Sequence, residues 1–213
     1  LSSIRTNLLD VFDFKFNERI LELDAKSGLF SAYLSDRAKS VAAVTIDCQD
    51  FKINEVRNAG KSNIDIIFAG DDDAFVKDTL KDMDPFDTVF IAGAGDALYK
   101  ALFNDESDDV RECLIKILEW TRGFLKEDAR LILALNNRLG LQYFAGKTDA
   151  SSPKLFSSIS GETDGADEYS FSINALGDIL NAAGFNEHKL FFPVPDYRYP
   201  SAVFSEDYMP GPG

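Results

Sequence analysis

The ten residues from Arg19 to Gly28, Arg-Ile-Leu-Glu-Leu-Asp-Ala-Lys-Ser-Gly, constrain the fold more than any other stretch. Ile20, Leu21 and Leu23 make a short apolar run of the kind buried on both faces of a parallel sheet. Asp24 to Gly28 is a polar, small-residue break, and Leu29, Ala32 and Tyr33 then fall at helical spacing. Strand, tight loop and helix in this order aim backbone N–H groups at a ligand. Such a loop favours glycine, because a close-approaching backbone has no room for a Cβ. Here only Gly28 is glycine, and Asp24 and Lys26 hold the alternate positions before it.

The same alternation continues along the chain. Apolar runs at Val41–Ile46, Ile64–Phe68, Thr88–Ala92 and Arg130–Leu135 predict further strands, and helices are expected over 51–59, 74–83 and 108–125. In the last of these Val110, Leu114, Ile117, Leu118, Thr121 and Leu125 form an apolar stripe, with Asp108 and Asp109 at its N-terminus. Ile4–Phe12 reads as a short amphipathic helix. Ile173–Ala183 reads as a last helix, stopped by Gly184 as a left-handed cap. Strands near Lys189–Phe192 and Ser201–Phe204 follow without a crossover helix, which predicts an antiparallel pair at a sheet edge. Repeated strand–helix alternation implies a parallel sheet with helices on both faces.

Totals exclude several functions. A net charge of -14 repels phosphate backbones, so neither nucleic acid nor an anionic membrane surface is an expected partner. No apolar run approaches the roughly 18 residues of a transmembrane helix, so no membrane insertion is expected. Cys48 and Cys113 lack metal-ligand spacing and read as reduced thiols of a cytoplasmic protein, with no metal site. The start at Leu1 and the end Met-Pro-Gly-Pro-Gly suggest a domain cut from a longer chain.

Ile-Leu-Glu-Leu-Asp-Ala-Lys-Ser-Gly resembles the first motif of class I S-adenosylmethionine-dependent methyltransferases, which usually carries glycine at the positions of Asp24, Lys26 and Gly28. Leu125–Leu133 resembles the segment leading into that class's fifth strand. Arg5–Asp10, Asn137–Gly146 and Pro193–Ser205 resemble a bacterial subfamily associated with glycosyltransferases of surface-polysaccharide assembly. The resemblance implies an α/β, Rossmann-like methyltransferase fold. Its sheet would be mostly parallel and seven-stranded, with helices on both faces and an antiparallel C-terminal strand. One domain would span 1–213, with an N-terminal helix and linker at 1–18 and a cofactor-fold core at 19–144. A loop or insertion would follow at 145–170, then a C-terminal helix and strand pair at 171–213.

The implied cofactor is S-adenosylmethionine, and the implied partners are a small-molecule or glycan acceptor and glycosyltransferase-linked domains. The resemblance places Glu22 near the ligand's methionine end. A buried strand carboxylate needs a partner, and Lys26 is the nearby cation. The strand-two acid that would hold the ribose is Thr45 by register, with Asp47 two residues late. Asp71, Asp72 and Asp73 stand where the family's acid meets adenine, or form a solvated turn and helix cap. Gly93 and Gly95 lie on the ligand-binding edge or make a plain turn. Asn136, Asn137 and Tyr143 are the candidates for orienting an acceptor hydroxyl, although neither residue type is a strong base at neutral pH. His188, the only histidine, reads as an exposed strand residue, and Trp120, Phe191 and Phe192 read as core.

Asp24 adds a Cβ and a negative charge to the loop, and is expected to oppose adenosylmethionine by bulk and by repulsion. Two functions therefore stand together: a methyltransferase with an eroded cofactor loop, and a catalytically inactive methyltransferase-like module serving interaction or scaffolding.

Overall fold

The computed structural model describes residues 3–70, 73–107, 109–140 and 168–208. The first long-range element is β1 (Arg19–Leu23), followed by α1 (Leu29–Ser35), β2 (Ser40–Thr45), α2 (Cys48–Asn58), β3 (Ile64–Phe68) and α3 (Asp73–Lys81). Next come β4 (Phe86–Ala92), α4 (Asp96–Phe103), α5 (Val110–Arg122) and β5 (Leu125–Ala134). These five strands form one all-parallel sheet in the order β3-β2-β1-β4-β5. The strand at the centre is β1, flanked by β2 and β4, which is why Ile20, Leu21 and Leu23 are all fully buried.

Side chains alternate across the sheet. Leu21, Leu23, Val89 and Ile91 point into a core shared with Leu80, Leu98, Leu114, Ile117 and Ile179, so α3, α4, α5 and α6 (Ile173–Ala182) cover that face. Ile20, Val41, Ala43 and Phe90 point the other way, against Leu34 of α1 and against Leu8 and Leu9 at the N-terminus. Most of the apolar stripe expected on α5 holds, with Leu114, Ile117, Leu118 and Thr121 buried and Asp109 capping the helix through the Arg111 and Glu112 amides, but the helix ends at Arg122 and Leu125 belongs to β5.

Several expectations are corrected. Among the described residues the main sheet has five strands, not the expected seven, because β8 (Phe191–Val194) and β9 (Ala202–Ser205) form their own antiparallel pair. Pro193 removes a ladder donor from β8, and Phe191 packs edge-on against Phe12, 5.0 Å between ring centres. A further short pair, β6 (Asn136–Asn137) with β7 (Ser170–Phe171), is also separate. The N-terminal segment is a 3₁₀ helix over Ser3–Leu8, shorter than the expected Ile4–Phe12 helix. Helix α2 begins three residues before position 51, because Asp47 accepts the Gln49 and Asp50 amides and starts the helix there. Helix α4 was not expected at all. The start of β5 at Leu125 hides behind the charged run Lys126–Arg130, most of which is exposed. Gly184 does end α6 with a positive φ of 84°. His188 is exposed but lies in the loop before β8, while Trp120 packs against Phe124 beside the core.

Candidate active site

Strand order reverses between β1 and β4, so the loops after them diverge and leave a crevice at the carboxyl edge of the sheet. A cavity of about 330 Å³ fills that crevice, within the usual range for small-molecule sites. Its walls come from the β1 loop (Asp24 to Ser27), from Phe30 of α1, and from Gly93, Ala94 and Gly95 after β4.

The β1 loop is left-handed at three alternate positions, and only the last of them is glycine. Asp24, Lys26 and Gly28 have φ of 55°, 48° and 73°, all left-handed. L-residues pay for that conformation, Asp less than most and Lys fully. Gly28 suits its position, because a Cβ there would collide with Asn54 Oδ1 and lie 2.6 Å from Asn58 Nδ2. Those buried amides hold the loop: Asn58 Nδ2 donates to the Gly28 carbonyl (3.1 Å) and to Asn54 Oδ1 (2.7 Å). Arg57 adds a bond to Ser27 Oγ at 2.9 Å.

The carboxylates sort unexpectedly. Glu22 is 2 % exposed and accepts from Ser31 Oγ of α1 at 2.6 Å, so its partner is not Lys26. Burial pushes its carboxyl up to about 8, with Asp24 adding to the rise. Lys26 pairs instead with Asp24 Oδ2. Asp24 is itself 6 % exposed, and its Oδ1 has no hydrogen-bond partner. Burial raises its carboxyl above the usual range; Lys26 opposes the rise, and Asp50 and Asp47 reinforce it.

Of the remaining expected site residues, Gly93 and Gly95 line the cavity. Gly93 has φ of 89°, and a Cβ on it would come 3.1 Å from Tyr197 Oη. Thr45, at the end of β2, is fully buried and faces Asn54 Nδ2 at 3.5 Å, while Asp47 is exposed and serves as the α2 cap; neither lines the cavity. Asn136 and Asn137 pair with β7, and Asn137 Oδ1 accepts the Leu139 amide at 2.9 Å, away from the cavity wall. Asp73 is the first residue of α3. Asp71, Asp72 and Tyr143 lie outside the described residues, as does most of the 145–170 loop.

Sequence reasoning missed the roof. Glu168 accepts from Tyr197 Oη and pairs with Arg198, and all three line the cavity together with Arg5. Burial and the Glu168 charge hold the Tyr197 phenol well above its ordinary range. Arg5 sits over the Tyr199 ring at 4.6 Å, and Asn7 Nδ2 reaches the Pro200 carbonyl at 3.0 Å. The signal was present in part: the Arg5–Asp10 and Pro193–Ser205 stretches that share one resemblance pack on each other across the site.

No family model matches the sequence, and no curated protein matches it either. Solved structures do match in fold. A candidate methyltransferase of Bacillus halodurans aligns over 90% of this chain and 73% of its own, at 15% identity and a TM-score of 0.56. Aeropyrum pernix fibrillarin, solved with natively bound S-adenosylmethionine, aligns over 90% of this chain and 67% of its own, at 15% identity and a TM-score of 0.52. The fold is that of the S-adenosylmethionine-dependent methyltransferases. SibL, another S-adenosylmethionine-dependent methyltransferase, aligns over 94% of this chain but only 53% of its own, at 13% identity and a TM-score of 0.54. Among the described residues no helix of this methyltransferase-fold chain is long and apolar enough to cross a membrane, and no cluster of His, Cys, Asp or Glu could hold a metal ion.

Proposed function

We propose that the chain is an S-adenosylmethionine-dependent methyltransferase domain of the cytoplasm, acting on a hydroxyl of a small molecule or glycan. The observation that carries this reading is the left-handed backbone at residues 24, 26 and 28 beside a cavity at the switch point of the sheet. Strained non-glycine residues persist where the surroundings impose them, and such strain clusters at ligand sites. The residues fit the cofactor at Gly93, which lines the cavity with a positive φ of 89° and puts no Cβ on its wall.

The loop Asp24–Gly28, Phe30 and the Gly93–Gly95 turn would hold the cofactor, which supplies an electrophilic methyl group on a sulfonium. Glu168, fixed by Tyr197 and Arg198, lines the cavity beside the Gly93 turn, where it can orient an acceptor hydroxyl and share its proton. Arg5 adds one positive charge to a lining in which Lys26 and Arg198 are paired with Asp24 and Glu168, which suits an acceptor bearing an anionic group. Glycosyltransferase-linked domains are the proposed neighbours in a longer protein.

A second reading, the inactive interaction module, draws on one observation. Strand β2 ends in a buried Thr45 with no carboxylate facing the cavity. Calorimetric titration with S-adenosylmethionine and S-adenosylhomocysteine separates the two. Saturable binding supports the methyltransferase; no heat with either ligand leaves the module.

A further inference from the structure

Three consecutive residues in the loop between β8 and β9 hold two opposite charges at the same cavity. Asp196 shapes the loop, its Oδ1 accepting the Arg198 amide at 2.8 Å and the Tyr199 amide at 3.2 Å. Tyr197 and Arg198 clasp Glu168, the phenol donating to Oε1 and the guanidinium to Oε2. Tyr199 turns to the N-terminal 3₁₀ helix, where its hydroxyl accepts from Arg5 and its ring centre lies 4.6 Å from the guanidinium carbon. Asn7 Nδ2 ties the same helix to the Pro200 carbonyl at 3.0 Å. Glu168 and Arg5 both line the cavity. The other charges on that lining are paired, Asp24 with Lys26 and Glu168 with Arg198. Arg5 has only the Tyr199 phenol and ring as partners among the described residues. A guanidinium presents several N–H donors in a planar fork, and one phenol oxygen does not fill them. The acidic excess of the chain, 36 residues against 22 basic ones, makes a lining cation without a carboxylate distinctive.

We infer that the cavity holds its acceptor at two points: Arg5 binds a carboxylate or phosphate of the acceptor, and Glu168 accepts a hydrogen bond from a hydroxyl of the same molecule. The inference rests on the proposed methyltransferase reading and names its acceptor class, a hydroxy acid or an acidic sugar. Glu168 keeps the capacity, because Tyr197 and Arg198 take one position on each oxygen and a carboxylate accepts at about four. Arg198 also offsets the charge with which Glu168 would repel an acidic ligand. Arg5 is the specificity-determining residue, since its fork meets a carboxylate or phosphate through two parallel bonds. Tyr199 is a positioning residue, which holds the guanidinium at the cavity without neutralising it. Both anchors hang on residues 197–199, so one loop fixes the spacing between the anion and the hydroxyl.

The test is isothermal titration of the full chain with D-glucuronate, D-glucose 6-phosphate and D-glucose, and separately with S-adenosylhomocysteine, for wild type, Arg5→Gln and Arg5→Lys. The three sugars share ring hydroxyls and differ in the anionic group, and a thermal melt checks that both variants fold. The wild type is expected to bind one or both acidic sugars roughly ten- to a hundredfold more tightly than glucose, the usual worth of a charge-assisted hydrogen bond. The sugar preferred tells carboxylate from phosphate. Arg5→Gln should lose the preference, and Arg5→Lys, which keeps the charge without the fork, should retain part of it. Both variants should bind S-adenosylhomocysteine within about twofold of wild type, as expected of an anchor separate from the cofactor. Acidic sugars bound no better than glucose by the wild type overturn the inference, and S-adenosylhomocysteine binding in the same protein leaves the methyltransferase reading intact. A preference that survives in Arg5→Gln overturns it as well; if that variant instead weakens only S-adenosylhomocysteine, Arg5 holds the cofactor's own carboxylate. Acidic-sugar binding that depends on Arg5, in a protein that takes no S-adenosylhomocysteine, supports the two-point site and overturns the methyltransferase reading.

Discussion

Replacing Asp24 by glycine should make the protein more stable, although it removes an ion pair. The left-handed backbone (φ 55°) costs an L-residue roughly 1–2 kcal/mol, which glycine does not pay. Relieving a buried carboxylate oxygen of its missing partner returns about 1–3 kcal/mol. Against these gains stand the greater freedom of glycine in the unfolded chain, about 0.5–1 kcal/mol. The Asp24–Lys26 pair, with its lysine more than half exposed, adds at most about 1 kcal/mol to the loss. The balance is a gain near 2 kcal/mol, or about 4–8 °C in melting temperature for a chain of this length. Scanning calorimetry at neutral pH without ligand measures it. Asp24→Ala is the internal control, since it removes the carboxylate but keeps a Cβ on left-handed backbone. Glycine should exceed alanine by about 0.5–1 kcal/mol, the strain less glycine's own chain entropy. If alanine equals or exceeds glycine, the backbone at residue 24 is not strained and the central reasoning about this loop is wrong. A variant both more stable and weaker in ligand binding would show that the strain is retained for binding.

Gly28→Ala should destabilise by about 2–4 kcal/mol, because positive φ combines with a clash into Asn54 and Asn58; a urea midpoint within about 0.5 kcal/mol of wild type would refute it. Glu22 binds its proton up to about pH 8 in the fold but only to 4.5 when unfolded. Between those values the folded state holds more protons, so stability falls as pH rises through the window. Denaturant melts at about pH 5.5 and 8.5 should show that fall, and Glu22→Gln should flatten it; an unchanged slope in the variant would assign the effect elsewhere. Tyr197→Phe removes the phenol bond to Glu168 and should cost about 0.5–1.5 kcal/mol, with no loss in a thermal melt counting against the roof. With a net charge of -14 the protein should not shift duplex DNA at physiological salt, and micromolar binding with a steep salt dependence would show that a local basic patch overrides the total.

Local sequence determined the strands and helices that are buried or capped by their own residues. The run Ile20–Leu23 announces a central strand because both its faces must avoid water, and it lies between β2 and β4 as a result. The stripe of α5 from Leu114 to Thr121 and the glycine stop of α6 are equally local, and both hold, although Leu125 falls in β5. Helix α4 was hidden by Gly93 and Gly95 before it, and the start of β5 by charges that need only point outward. Alternate positions 24, 26 and 28 stand out in the sequence, and all three carry left-handed backbone. What the side chains do there was not legible, because a hydrogen bond between distant segments leaves no periodicity. Lys26 turns to Asp24 and not to Glu22; Glu22 turns to Ser31, which helix α1 brings across the β1 face. The roof joins Arg5, Glu168, Tyr197 and Arg198, and the hairpin that carries two of them leaves the main sheet. Burial patterns are written in short-range order, whereas the pairing of buried charges depends on which loops the closed sheet brings together.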